Sequence, residues 1–152
     1  MATSSPVSPR LAAVLNRPTL DTQFHIDYHW WERQEREARV YLQSHLCSDH
    51  QAQFAELDEI EIVDSVHPDT AEVQRMDLVQ HTLRTHCARQ EDYLTHHTSL
   101  VDAVFRVFLA NGNCPLTPVE LAEAINRPGQ EKTILRTLSG RRVYKGLRPL
   151  TA

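Results

Sequence analysis

The sequence predicts a mostly helical α+β protein, in which a helix, a β-hairpin and a helix are followed by further helices and a second hairpin. Apolar residues recur at helical spacing in five segments, and a period of two appears around residues 59–66. Turn-forming residues separate these segments. We therefore expect a mobile tail over residues 1–20, an acidic helix-hairpin-helix domain over 21–97 and a basic domain over 98–152.

The charge of the chain is unevenly distributed. Residues 1–97 carry 8 Lys and Arg against 16 Asp and Glu, a balance of −8, whereas residues 98–152 carry 8 against 4, a balance of +4. The total of −4 conceals this difference. The asymmetry favours a protein in which one part approaches a polyanion and the other stays clear of it. The alternative is ordinary solvated surface.

Composition also limits the class of protein. No apolar run approaches the ~20 residues that cross a bilayer, and the first residues resemble neither a signal peptide nor an anchor. We expect a cytoplasmic protein without a membrane partner. The odd number of cysteines, Cys47, Cys87 and Cys114, does not suit a disulfide framework and favours reduced thiols or metal ligands.

The acidic region begins with a helix predicted over Tyr28–Leu46, in which Trp30 and Trp31 belong to an apolar stripe and are expected to anchor the core. Alternation from Glu59 to Val66 then predicts a strand, and the turn residues 67–70 indicate a hairpin.

A second helix is predicted over Met76–Cys87, with Asp77 near its start, and residues 88–97 form a short polar connection.

The basic region contains two clear helix signals. Thr98 or Ser99 can cap a helix over residues 100–110. This helix is apolar enough to lie in the core, and Asp102 and Arg106 are expected on its solvent-exposed face. Thr117-Pro118-Val119-Glu120 is a capping box with proline at the first helical position, and Leu121, Ala122 and Ile125 follow on one face.

This second helix and its turn, Thr117 to Asn126, resemble the start of a helix-turn-helix, with small Ala122 where two helices cross. The segment Thr133–Leu138 resembles a recognition helix, and Arg141–Pro149 has the alternation expected of a wing. The region is thus similar to the winged helix-turn-helix DNA-binding superfamily. Its turn is about two residues longer than is usual there.

The resemblance implies that helix 130–139 and a basic wing, 141–148, contact double-stranded DNA. The residues implied are Lys132, Thr133, Arg136, Thr137, Arg141, Arg142, Lys145 and Arg148. We expect a transcription regulator whose acidic region mediates homodimerisation or binds a protein partner. The alternative is an interaction adaptor that uses the winged helix to contact protein.

Four side chains are candidate ligands for structural zinc: Cys47, His50, Cys87 and His97. Cys47 and His50 have the spacing of one corner of a zinc site, and Cys87 lies a short way before His96 and His97. His25 and His29 are outside candidates for the fourth ligand, and His86 is less suited because it adjoins Cys87. The alternative is that the cysteines are small buried residues and the histidines lie on the surface.

Catalysis is not expected, because the sequence offers no nucleophile with a base and no glycine-rich phosphate loop. The acidic residues Asp58, Glu59, Glu61 and Asp64 suit the solvent-exposed face of a strand better than a catalytic carboxylate pair. A metalloenzyme built on His25, Asp27 and His29 is the remaining alternative.

Overall fold

A computed structural model of the chain describes residues 17–55, 62–66 and 70–150. These residues form an α+β fold, as the sequence predicts, with seven helices and two small antiparallel sheets of two strands each. The helices are α1 (Tyr28–Glu32), α2 (Glu35–Ser44), α3 (Ser48–Phe54), α4 (Leu78–Thr85), α5 (Leu100–Ala110), α6 (Pro118–Ala124) and α7 (Glu131–Leu138), and a 3-10 turn spans Cys87–Arg89. The strands are β1 (Phe24–Ile26), β2 (Ile62–Val66), β3 (Val73–Asp77) and β4 (Leu147–Pro149). The predicted tail lies mostly outside the described residues.

The single helix predicted over Tyr28–Leu46 is wrong, because the chain breaks between α1 and α2. Gln34 adopts φ −137° and ψ 43°, outside helical geometry. Ten residues of one straight helix would separate Trp31 from Tyr41 by about 15 Å, yet their rings stack with centroids 5.6 Å apart. The break folds α1 back over α2, and Trp31 becomes a buried core anchor, as predicted.

The acidic hairpin is confirmed over its described part. Strands β2 and β3 pair antiparallel, with Asp64 opposite Arg75. The predicted start at residues 59–61, the carboxylates of Asp58, Glu59 and Glu61, and the turn at 67–69 lie outside the described residues.

The helix predicted over Met76–Cys87 is wrong at both ends. Met76 belongs to β3, and α4 begins only after Asp77, whose carboxylate accepts a hydrogen bond of 2.7 Å from the backbone N–H of Val79. This N-cap fixes the start of the helix. The helix ends at Thr85, and Cys87 opens the 3-10 turn.

Helix α5 is the centre of the core, as its apolar sequence predicts. Its buried residues are Ala103, Val104, Phe105, Val107, Phe108 and Leu109. Asp102 and Arg106, expected on the solvent-exposed side, are only half-exposed, because side chains from α2 and from the residue after it contact them. The Tyr41 hydroxyl donates to Asp102 at 2.5 Å, and Arg106 Nε donates to His45 Nδ1 at 2.9 Å.

Strand β1, which the sequence analysis did not predict, joins the two ends of the described chain. Phe24 lies opposite Pro149 of β4 and also bridges Leu116, just before α6. The side chain of Asn113 holds the same strand, since it hydrogen-bonds both the N–H and the C=O of Ile26 at 2.8 and 2.9 Å. The N-terminal strand therefore sits between two segments of the basic region.

The prediction that Arg141–Pro149 forms a hairpin, as a wing does, is wrong about which strands pair. Residues 141–146 contain bends and turns but no strand, and β4 pairs with β1 instead of with a second strand of its own segment. Two consecutive residues in left-handed conformation, Lys145 and Gly146 with φ 52° and 75°, direct the chain onto β1.

The predicted pair of helices after Thr117 is present. Both bonds of the capping box form at the start of α6, and Ala122 is buried where α6 meets α7. Asn126 and Gly129 supply positive φ values of 56° and 89° in the turn. The two helices and the turn therefore lie where the sequence predicts them, and a winged helix-turn-helix arrangement stays a prediction.

Buried residues on both sides of residue 97 belong to one hydrophobic core, which includes Ile26, Leu83, Phe105, Leu121, Ile134 and Leu147. The domain boundary at 97/98 stays a prediction. Across the described parts of the chain, no helix combines the length and apolarity needed to cross a membrane.

Candidate metal centre and basic surface

A cysteine and a histidine meet at the start of α3. Cys47 occupies the N-cap position and His50 lies three residues later, so both side chains fall on the same side of the first turn. Cys47 Sγ and His50 Nδ1 are 3.0 Å apart. Both residues are half-buried. The sequence analysis missed α3 itself, although Ser48 and Asp49 are typical of a helix start.

Cys87 reaches this pair from the end of α4. Its Sγ lies 3.4 Å from Cys47 Sγ and 3.7 Å from His50 Nδ1, and the backbone N–H of Cys47 donates to it at 3.2 Å. The thiol is 1% exposed, and burial raises the pKa of Cys87 to about 11. An N–H donor to sulfur is a common support for a metal-bound thiolate.

His86 completes the cluster. Its ring packs edge-on against His50, with centroids 4.5 Å apart. The ligand atoms of Cys47, His50 and His86 all lie within 4.8 Å of one another, so these residues could hold a metal ion. His86 itself is exposed.

His97 is not part of this group. It is exposed, and its ring lies 3.9 Å from that of His96. The sequence analysis set His86 aside because it adjoins Cys87. His86 lies just after α4, and its backbone, with φ −124° and ψ −61°, departs from helical geometry.

The alternative metalloenzyme triplet is engaged in other contacts. His25 lies in β1 opposite Arg148. Asp27 caps α1 through the N–H of His29 at 3.0 Å and pairs with Arg148 at 3.2 Å. His29 Nδ1 is exposed and lies 3.3 Å from a carboxylate oxygen of Glu32.

The predicted recognition helix presents polar residues on one face and apolar residues on the other. Ile134 and Leu138 are buried, as predicted, whereas Lys132, Thr133 and Arg136 are exposed. Thr137 is half-buried, and its hydroxyl donates to the carbonyl of Thr133 at 2.8 Å.

The basic residues after α7 fall into two groups. Arg141 and Arg142 are exposed, and the guanidinium of Arg142 lies 5.1 Å from the ring of Tyr144. Lys145 and Arg148 instead contact the acidic region: Lys145 Nζ lies 4.6 Å from the ring centroid of Tyr41, and Arg148 pairs with Asp27. Both are also solvent-exposed.

The fold and the site together define an α+β protein with a Cys/His cluster on one part and, on another, a helix whose polar face, with Lys132 and Arg136, is exposed. No protein-family model, curated protein or solved structure matches the chain.

Proposed function

We propose that this chain is a DNA-binding protein, and specifically a transcription regulator, that docks α7 in the major groove. The observation that carries the proposal is the two-faced helix: Ile134 and Leu138 fix α7 to the core, and Lys132, Thr133 and Arg136 point to solvent. A helix that follows another helix after a turn and is exposed on its polar face is the arrangement of a recognition helix.

The distribution of charge supports the same partner. Arg141 and Arg142 follow two residues after α7 and are exposed, so they add positive charge that can contact phosphates. Phosphate contacts fix position and supply salt-dependent affinity. Lys145 and Arg148 are secondary contacts, because each already has a partner in the acidic region.

Binding to a mixed-sequence DNA duplex, measured by fluorescence anisotropy over a salt series, tests the proposal. We expect affinity to fall steeply with salt, and Arg136→Ala and Arg141→Ala each to weaken binding and reduce the salt slope by about 1. Arg89→Ala, an exposed arginine of the acidic region, is the matched control and leaves binding unchanged. Affinity indifferent to salt and to both substitutions contradicts the proposal.

We further propose that the Cys/His cluster binds structural zinc through Cys47, His50, His86 and Cys87. Tetrahedral zinc with ordinary bond lengths requires sulfur atoms about 3.8 Å apart and sulfur–nitrogen separations of about 3.5 Å. The observed 3.4 Å between sulfurs and 3.0 and 3.7 Å to His50 support this geometry. Four protein ligands leave no open position, so the ion would tie α3 to the end of α4.

Elemental analysis of the purified chain tests the zinc site. We expect stoichiometric zinc in the unmodified protein and in Cys114→Ser, whose cysteine is exposed, and loss of zinc in Cys47→Ser. His86→Ala weakens zinc binding and His97→Ala does not. Unmodified protein free of stoichiometric metal contradicts the proposal. Zinc binding that is weakened by His97→Ala and not by His86→Ala would show that His97 is the fourth ligand.

A second function, as an interaction adaptor, is favoured by one observation. The hairpin exposes Ile62, Val66 and Val73, with 49%, 56% and 60% of their surface accessible. Exposed apolar side chains grouped on one sheet face are typical of contact surfaces. Val73→Asp tests this function by sedimentation: loss of a dimer or of a partner supports it, and a monomer unaffected by the change opposes it.

A further inference from the structure

A cavity of about 470 Å³ lies between β3, α4 and the end of α5. Met76, Phe108 and Leu109 form its apolar lining, and Gln74, Gln80 and Arg84 contribute polar groups. The volume falls within the range of small-molecule sites, about 300–1,000 Å³. The cavity has no residue in common with the Cys/His cluster or with α7.

Arg84 is the feature of this cavity that needs an explanation. The side chain is 6% exposed, and among the described residues its Nε and Nη1 have no hydrogen-bond partner. Its Nη2 donates to Ser65 Oγ, a neutral group that His81 Nδ1 also contacts at 2.9 Å. No ion pair within the described parts of the chain includes Arg84.

A buried guanidinium in this state is costly. Arginine cannot lose its proton in a protein, so it cannot escape the penalty by becoming neutral. Removing a charge from water without a counterion destabilises the folded state. An anion in the cavity that Arg84 lines would supply the missing counter-charge to this guanidinium.

The rest of the cavity suits an anion with an organic body. Arg75 adds a second positive charge, since its only described ion pair is a 4.0 Å contact with Asp64 between two well-exposed side chains. Tyr28 also lines the cavity, and burial raises the pKa of its hydroxyl to about 12, which keeps it a neutral donor. The apolar surface offered to the carbon atoms of a ligand comes from half-buried Met76 and from the small accessible part of Leu109.

We infer that the cavity binds a small organic anion whose oxyanion group pairs with Arg84 and whose apolar part contacts α5. The site is independent of DNA binding, because none of its residues lies on α7 or in segment 141–148. An aromatic ring with one carboxylate or phosphate is the class of ligand that matches both sides of the cavity.

Three probes of similar shape test the inference: benzoate, phenyl phosphate and uncharged benzamide. Each is titrated to about 10 mM at constant ionic strength, with binding followed by protein NMR and by the melting temperature. We expect saturable binding of at least one of the two anions, with shifts at Gln80 and Leu109, and at least about tenfold weaker binding of benzamide. The better anion distinguishes a carboxylate site from a phosphate site.

Arg84→Met separates a ligand site from a structural arginine. We expect this variant to lose anion binding by at least about tenfold and, without ligand, to melt at a higher temperature, because it removes an uncompensated buried charge. Arg89→Met, outside the cavity and exposed, is the matched control and changes neither property. A lower melting temperature for Arg84→Met shows that Arg84 has an internal counterion and overturns the inference, as does the absence of saturable binding by either anion.

Discussion

Buried His45 should make the stability of the protein depend on pH. The imidazole is 3% exposed and stacks on Phe105. Its Nδ1 accepts a hydrogen bond from Nε of Arg106 at 2.9 Å, and among the described residues its Nε2 has no partner. Burial, reinforced by the positive charge of Arg106, lowers the pKa of His45 from 6.5 to about 4.

The direction of the effect follows from which state binds the proton first. As pH falls below 6.5, His45 is protonated in the unfolded chain while it stays neutral in the folded protein. Its contribution to the free energy of unfolding is therefore complete above pH 6.5 and is lost progressively down to about pH 4. At about 1.4 kcal/mol per pKa unit, the loss reaches about 3 kcal/mol.

Urea unfolding of the wild type and of His45→Gln between pH 7 and pH 4 measures this contribution. Other titrating groups act in both proteins, so the difference between the two pH profiles isolates His45. We expect the wild type to lose about 3 kcal/mol more than His45→Gln over this range. His29→Gln, which changes an exposed histidine, should follow the wild type. Parallel profiles for wild type and His45→Gln, or an NMR titration of the His45 ring near pH 6.5, would refute the reasoning.

Three further substitutions test the packing around β1 and the turns by the same unfolding measurement. Gly146→Ala should cost about 2–5 kcal/mol, because φ is +75° and a Cβ would lie 2.8 Å from Trp31 Nε1; little loss contradicts that close approach. Gly129→Ala, at φ +89° with open space around it, should cost only about 1–2 kcal/mol, and an equal loss at both glycines would show that conformation alone decides. Asn113→Gly keeps a residue tolerant of φ 63° but loses both bonds to Ile26, so we expect a loss of about 2 kcal/mol, and an unchanged midpoint would show that Asn113 does not hold β1.

Elements with strong local signals could be predicted from the sequence. The capping box at Thr117 fixes the start of α6 through bonds within four residues, and the apolar stripe of α5 requires burial whatever it packs against. The hairpin of β2 and β3 likewise follows from alternation and a nearby turn. In each case the deciding interactions lie close together in sequence.

Features that depend on distant contacts could not be predicted. Strand β1 is only three residues long and finds its partner β4 more than a hundred residues later. From the helical pattern alone, Arg106 is predicted to lie on the solvent-exposed face of α5. Its partner His45 comes from the end of α2, about sixty residues earlier in the chain. The same limitation affected the Cys/His cluster: Cys47, His50 and Cys87 were identified by residue type, but the proximity of His86 to Cys47 and His50 depends on contacts between segments that are distant in sequence.

Charge and packing divide the chain differently. The charge changes sign near residue 97, but β1 from the acidic side lies between Leu116 and β4 of the basic side. Trp31 Nε1 also donates to the carbonyl of Lys145 at 2.9 Å, within the segment that carries the basic residues. Among the described residues, the only strand that pairs with β4 is β1, which belongs to the acidic region. The acidic region therefore holds residues 145–149 in position. If this surface binds DNA, its geometry depends on the acidic region as much as on α6 and α7.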